Sequence, residues 1–161
     1  MSVTLTANPK SVPINTTSLL TWTGVGVTSC TASGGWSGTR AISGTATVGP
    51  IAADTTYSLA CSGNGNNVVA MTTVAVRQAV LSWTRPTKNV DGSTATNLSG
   101  YRVHYGTTSR NYTQTIAVSG AATLQQAVAL SSPGTWYFSV TAVDTAGAES
   151  AYSGEVSKAI P

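Results

Sequence analysis

The stretch Pro133-Gly134-Thr135-Trp136-Tyr137-Phe138-Ser139-Val140-Thr141-Ala142-Val143-Asp144 decides the fold class. A Pro-Gly turn leads into aromatic and β-branched residues, the types that fit a pleated, half-buried surface. Trp136, Phe138, Val140 and Ala142 stand two apart, so in a strand they share one face and mark it as the core side. Working backwards, Tyr101, Val103 and Tyr105 alternate with Arg102 and His104, which puts His104 on the solvent side. Further strands are predicted over residues 80–84, 112–118 and 123–130, with a last one inside 151–159. A turn at Ser131-Ser132-Pro133-Gly134 and a polar loop through Pro86 and Asp91-Gly92 separate them.

The first half has the same style. Strands are predicted over residues 3–6, 18–23, 28–32, 45–48, 55–62 and 68–76, with Leu20 and Trp22 on one face. Asn8-Pro9, Gly24 to Gly26, Gly34-Gly35, Gly49-Pro50 and Gly63-Asn64-Gly65 punctuate them. Short strands at this spacing argue for sandwiches or barrels, and no stretch shows a helical period. The expectation is an all-β chain of two β-sandwich domains in tandem, residues 1–77 and 78–161.

Only 8% of the 161 residues are charged, and Ser, Thr, Asn and Gln supply the polar surface instead. The net charge of +3 comes from scattered Lys and Arg, not from a basic face, so no nucleic-acid partner is expected. No apolar run approaches the roughly 18 residues of a membrane span, so no membrane insertion is expected. The chain meets its first strand directly after Met1, with no basic n-region ahead of an apolar one, so no Sec signal is read.

Residues Leu81-Ser82-Trp83-Thr84-Arg85-Pro86, Ser99-Gly100-Tyr101-Arg102-Val103-His104-Tyr105-Gly106 and Pro133 to Asp144 come in an order that resembles a fibronectin type III domain of bacterial and phage proteins. Ala7-Asn8-Pro9, Leu20-Thr21-Trp22, Ser29-Cys30-Thr31-Ala32-Ser33-Gly34-Gly35-Trp36 and Thr55-Thr56-Tyr57-Ser58-Leu59-Ala60-Cys61 resemble a bacterial immunoglobulin-like domain. Two departures stand out. Trp136 shares parity with Phe138 and Tyr137 does not, which leaves open which of them fills the family's corner tyrosine. Only Arg77-Gln78-Ala79 lies between the first domain's last strand and the tryptophan-bearing strand B, so strand A is missing or the preceding strand replaces it. A missing strand A would leave unpaired backbone groups along Val80, Leu81, Ser82 and Trp83, an edge open to strand addition.

Cys30 and Cys61 could lie on neighbouring strands; a disulfide needs Cα atoms about 4.4–6.8 Å apart, and the alternative is a pair of buried thiols. Trp36, between Gly35 and Ser37, is expected to fold back over the sandwich, with an exposed ring stacking on sugar as the alternative. His104 has no nucleophile and acid partner in view, and the acidic residues Asp54, Asp91, Asp144, Glu149 and Glu155 show no glycosidase-like pairing. Two cysteines without nearby histidines are weak evidence for zinc, since a structural zinc site takes four ligands. The reading is a non-enzyme without metal or cofactor.

Such modules serve as spacers, adhesive units and virion decorations alike. The resemblance to phage virion decoration proteins implies a capsid decoration or cement subunit, made in the host cytoplasm and displayed on the virion surface in many copies. Its partners would be the major capsid protein or other virion proteins, with host-surface glycans held weakly. The alternative is an extracellular spacer or adhesion module of a secreted carbohydrate-active enzyme or adhesin.

Overall fold

Backbone pairing bears out the strand reading. The computed structural model describes residues 1–89 and 92–161, so Asp91 of the polar loop lies outside the described residues. Among the described residues there are strands and no helix. Two compact units form, Met1–Arg77 with Pro161, and Gln78–Ile160.

The first unit contains β1 (Ser2–Asn8), β2 (Ser11–Pro13), β3 (Thr16–Val25), β4 (Ser29–Gly34), β5 (Gly38–Arg40), β6 (Ser43–Ile51), β7 (Thr55–Gly63) and most of β8 (Asn66–Ser82). One sheet runs β1-β3-β6, the other β8-β7-β4-β5, with β2 pairing parallel to β8. Alternation dictates what lies between them: Leu5, Leu20, Trp22, Tyr57, Leu59 and Val74 point inward and are buried. Burying each such side chain stabilises the fold by about 1.5–3 kcal/mol. Gly44 faces inward opposite Trp22, and a Cβ there would meet the indole Cζ2 at 2.9 Å, so the bare backbone makes room for the ring. Asn64 and Gly65, with φ of 48° and 77°, close the β7–β8 hairpin, the left-handed pair that suits a two-residue turn. This is an immunoglobulin-like sandwich.

The second unit contains β9 (Leu98–Gly106), β10 (Gln114–Ser119), β11 (Gln125–Ala129), β12 (Gly134–Asp144) and β13 (Val156–Ile160). The order β10-β9-β12-β13 makes one sheet, and β11 pairs with the last residues of β8 to make the other. Tyr101, Val103, Val128, Trp136 and Phe138 form its core, with Tyr105 stacked on Phe138 at 6.1 Å. Trp136 Nε1 donates to the Ser132 carbonyl at 3.1 Å, so tryptophan makes the corner bond that a tyrosine makes in immunoglobulin-type sandwiches. The unit is a fibronectin type III-like sandwich in which, among the described residues, no separate strand A lies beside the last residues of β8.

Several strand limits differ from expectation for physical reasons. β2 and β5 have three residues each, too few to show a period. β3 runs through Gly24 to Val25, where glycines suggested a turn. β10 starts at Gln114 and β13 at Val156, because Tyr112 and the 151–155 segment serve as cover for a sheet. β8 pairs without a break across Arg77-Gln78-Ala79, yet its burial parity changes there: Thr72, Val74 and Val76 face the first core, Ala79 and Leu81 the second.

Candidate functional site

Cys30 and Cys61 face each other on β4 and β7 and form a disulfide, with Cα atoms 4.0 Å apart. That spacing is below the window for disulfides in general and follows from the register. Gly35 N donates to Thr56 O, so every second pair along this ladder, Cys30–Cys61 included, is a non-hydrogen-bonded pair, where strands approach most closely. The bond lies within one sheet, not between sheets.

Trp36 is 7% exposed, which removes it as an exposed contact. Its ring sits edge-on to Trp22 at 5.2 Å and to Tyr57 at 6.3 Å, its Nε1 donates to Ser58 O, and the Arg40 guanidinium covers it at 4.9 Å. Gly34 (φ 83°) turns the chain back so that the indole enters the core.

The expected edge at Val80 to Trp83 is half occupied. Trp83 N donates to Leu124 O at 3.1 Å, and the ladder continues through Leu81↔Gln126 and Ala79↔Val128. Ladder alternation therefore points the backbone groups of Ala79, Leu81 and Trp83 at β11, and those of Gln78, Val80 and Ser82 away from it. On that far side Lys158 Nζ donates to Gln78 O at 3.1 Å, and among the described residues β11, on the opposite side, is the one strand that pairs with Val80 and Ser82. Leu81 is buried, and Trp83 packs against Tyr101 at 5.2 Å.

His104 is 9% exposed, against the expectation of a solvated position. Parity does place it on the outer face of its sheet, but the 149–155 segment folds over that face. Its Nε2 lies 3.0 Å from Thr141 Oγ1 and 3.4 Å from Glu149 Oε2, its Nδ1 lies 3.2 Å from Thr115 Oγ1, and Tyr152 stands edge-on at 5.0 Å. Glu149 also pairs with Arg102 and accepts from Thr141; these bonds hold its carboxyl below the usual range, the Thr141 bond most of all. Glu155 accepts from Ser109 Oγ, Tyr112 Oη and Arg110 N, and is held low for the same reason. Burial and this carboxylate push the Tyr112 phenol up. Sequence reading missed the cluster because its cover comes from residues about 45 positions away along the chain, where no period announces it.

A groove of about 430 Å³ in the second unit is lined by Lys88, Asn97, Asp144 and Glu149 among others. Its carboxylates already hold the fold: Asp144 accepts from Ala146 N, Ala148 N and Asn97 Nδ2. Among the described residues no three of His, Cys, Asp or Glu gather as metal ligands would, and no helix is long and apolar enough to cross a membrane.

The outer faces of the first unit hold the most regular surface. On β1-β3-β6 the register aligns the rows Thr4–Thr23–Ser43, Thr6–Thr21–Thr45 and Asn8–Leu19–Thr47. On the opposite sheet, Thr39–Thr31–Ala60–Val69, Ser33–Ser58–Met71 and Thr56–Thr73 align likewise. No residue in these rows is charged. Met71 is 66% and Val69 54% exposed.

No family model matches the chain. No curated protein matches it either. Among solved structures it is similar to the FN1–FN3 domains of chicken CNTN1, at 10% identity and a TM-score of 0.40, over 93% of this chain and 65% of that one. It is similar to the fibronectin(III)-like modules of Clostridium thermocellum CbhA at 14% identity and a TM-score of 0.35, over 97% of this chain and 93% of that one. The human OSCAR ligand-binding domain gives 11% identity and a TM-score of 0.38, with 97% of each chain covered.

Proposed function

We propose that this chain is a non-catalytic structural module that packs in many copies on a virion surface, decorating or cementing the coat of a tailed phage. The observation that carries the reading is the pair of uncharged outer faces on the first unit. Burying a charged side chain costs several kcal/mol unless it is paired, whereas these rows offer Ser, Thr, Asn, Ala, Leu, Val and Met. Several of the hydroxyls are already satisfied within the sheet: Thr4 and Thr6 bond the carbonyls of Thr23 and Thr21, and Thr56 bonds Thr73. A partner that covers such a face has no ionised group to strip of water. Fractionating the native source tests this. Stoichiometric co-sedimentation with intact particles, and weaker particles when the protein is removed, is the expected result; absence from particles refutes it.

The disulfide favours a second reading, an extracellular accessory module beside a catalytic or adhesive domain, because such bonds persist in oxidising compartments. Recovery of the chain only within a longer secreted polypeptide would support this reading over the first.

A further inference from the structure

We propose that the free edge of β8 at Val80 and Ser82 is a docking site for an extended, acid-flanked segment of another polypeptide, which adds to the second unit as a strand beside β8. This inference stands apart from the virion reading, since it concerns the second unit's edge and not the first unit's faces.

Three observations carry it. Over Gln78 to Ser82 β8 has β11 as its one ladder partner, so along this stretch the sheet has one paired side and one open side. The amide and carbonyl groups of Val80 and Ser82 point away from β11, and the Val80 side chain beside them is 52% exposed. An added strand would satisfy these groups through main-chain bonds alone, as strand addition does elsewhere. Edges of this kind are normally blunted by bulges, prolines or covering loops. Here the one cap among the described residues is Lys158 on Gln78 O, at the start of the edge.

Charge decides the occupant. Lys158 marks one end of the edge, and the exposed Arg85 follows Ser82 at the other. A second copy pairing antiparallel would set Lys158 against Arg85, and a parallel copy would set like against like, so self-pairing is repulsive in either direction. A segment with Asp or Glu on both sides of a short β-branched or aromatic core meets a cation at each end.

The probes are two octapeptide arrays whose six central positions are drawn from Val, Ile, Thr and Tyr, one flanked by Glu and the other by Lys. The full chain is expected to bind members of the Glu array. In solution those peptides should slow amide exchange at Val80 and Ser82 at least tenfold, with the Leu81 amide, already in the β11 ladder, unchanged. Charge reversal at both ends, Arg85→Glu with Lys158→Glu, should switch the preference to the Lys array. Val80→Pro, which removes the outward donor, should weaken binding at least tenfold; if that variant does not fold, the charge reversal decides alone. The proposal is overturned if no member of either array protects Val80 and Ser82, if the charge reversal leaves the preference as it was, or if protection arises in the chain alone as its concentration rises.

Discussion

At the scale of single residues, aromatic rings and buried hydrogen bonds carry the structure. Trp36 combines two edge-on ring contacts with an indole hydrogen bond, so Trp36→Ala should destabilise the first unit by about 3–5 kcal/mol, read from urea unfolding. Trp36→Phe, which keeps a ring and loses the bond, should cost distinctly less in the same assay. Parity made Trp22, Trp136 and Phe138 legible as core, since a strand shows its inner face every second residue. Parity also placed His104 on the outer face correctly. What it could not show was that Glu149 and Tyr152 return to cover that face, because loop paths leave no periodic signal.

At the scale of elements, the disulfide and the 149–155 segment each have a measurable signature. Cross-linking β4 to β7 closes a loop of 31 residues, so replacing both cysteines with alanine should cost about 2–4 kcal/mol of first-unit stability in a denaturant titration. Adding reductant should reproduce most of that loss in the native chain. Glu149 and Glu155 tie their segment to the second sheet, and both carboxyls are held below the ordinary value of 4.5. The unfolded chain therefore takes up protons at higher pH than the folded one. The stability these groups supply is complete above about pH 4.5 and drains away as pH falls through their lower folded values. Glu155→Gln should flatten the dependence of second-unit unfolding on pH below 4.5, as followed by tryptophan fluorescence. Strand existence was legible at this scale wherever alternation ran for four residues or more. The pairing of β8 across Arg77-Gln78-Ala79 was not, because its inward parity changes there and the pattern reads as two strands.

At the scale of the molecule, an all-β chain of this composition was legible from turn spacing and β-branched content, while the register that lines up uncharged rows appears only once strands are paired. If one face of the first unit is the packing surface, a single charge in the middle of its rows should block assembly and leave folding intact. Thr21→Lys tests the β1-β3-β6 face and Ala60→Lys the opposite one; particle incorporation is expected to fail for one of them, with an unchanged circular dichroism spectrum for both. Incorporation of both at native levels would move the contact elsewhere.

The uncharged rows also set a response to ionic strength. Salt screens attraction between charges over a Debye length of about 8–10 Å near physiological strength, but it has nothing to screen between faces of threonine, serine, valine and methionine. Attachment through these faces should persist, or tighten in sulfate, as the brine strengthens, because excluded salts favour the burial of apolar surface. Strand docking between Lys158 and Arg85 should fade in the same titration. If the chain does attach through these faces, a surface with few ions would let that hold persist across waters of widely different salinity.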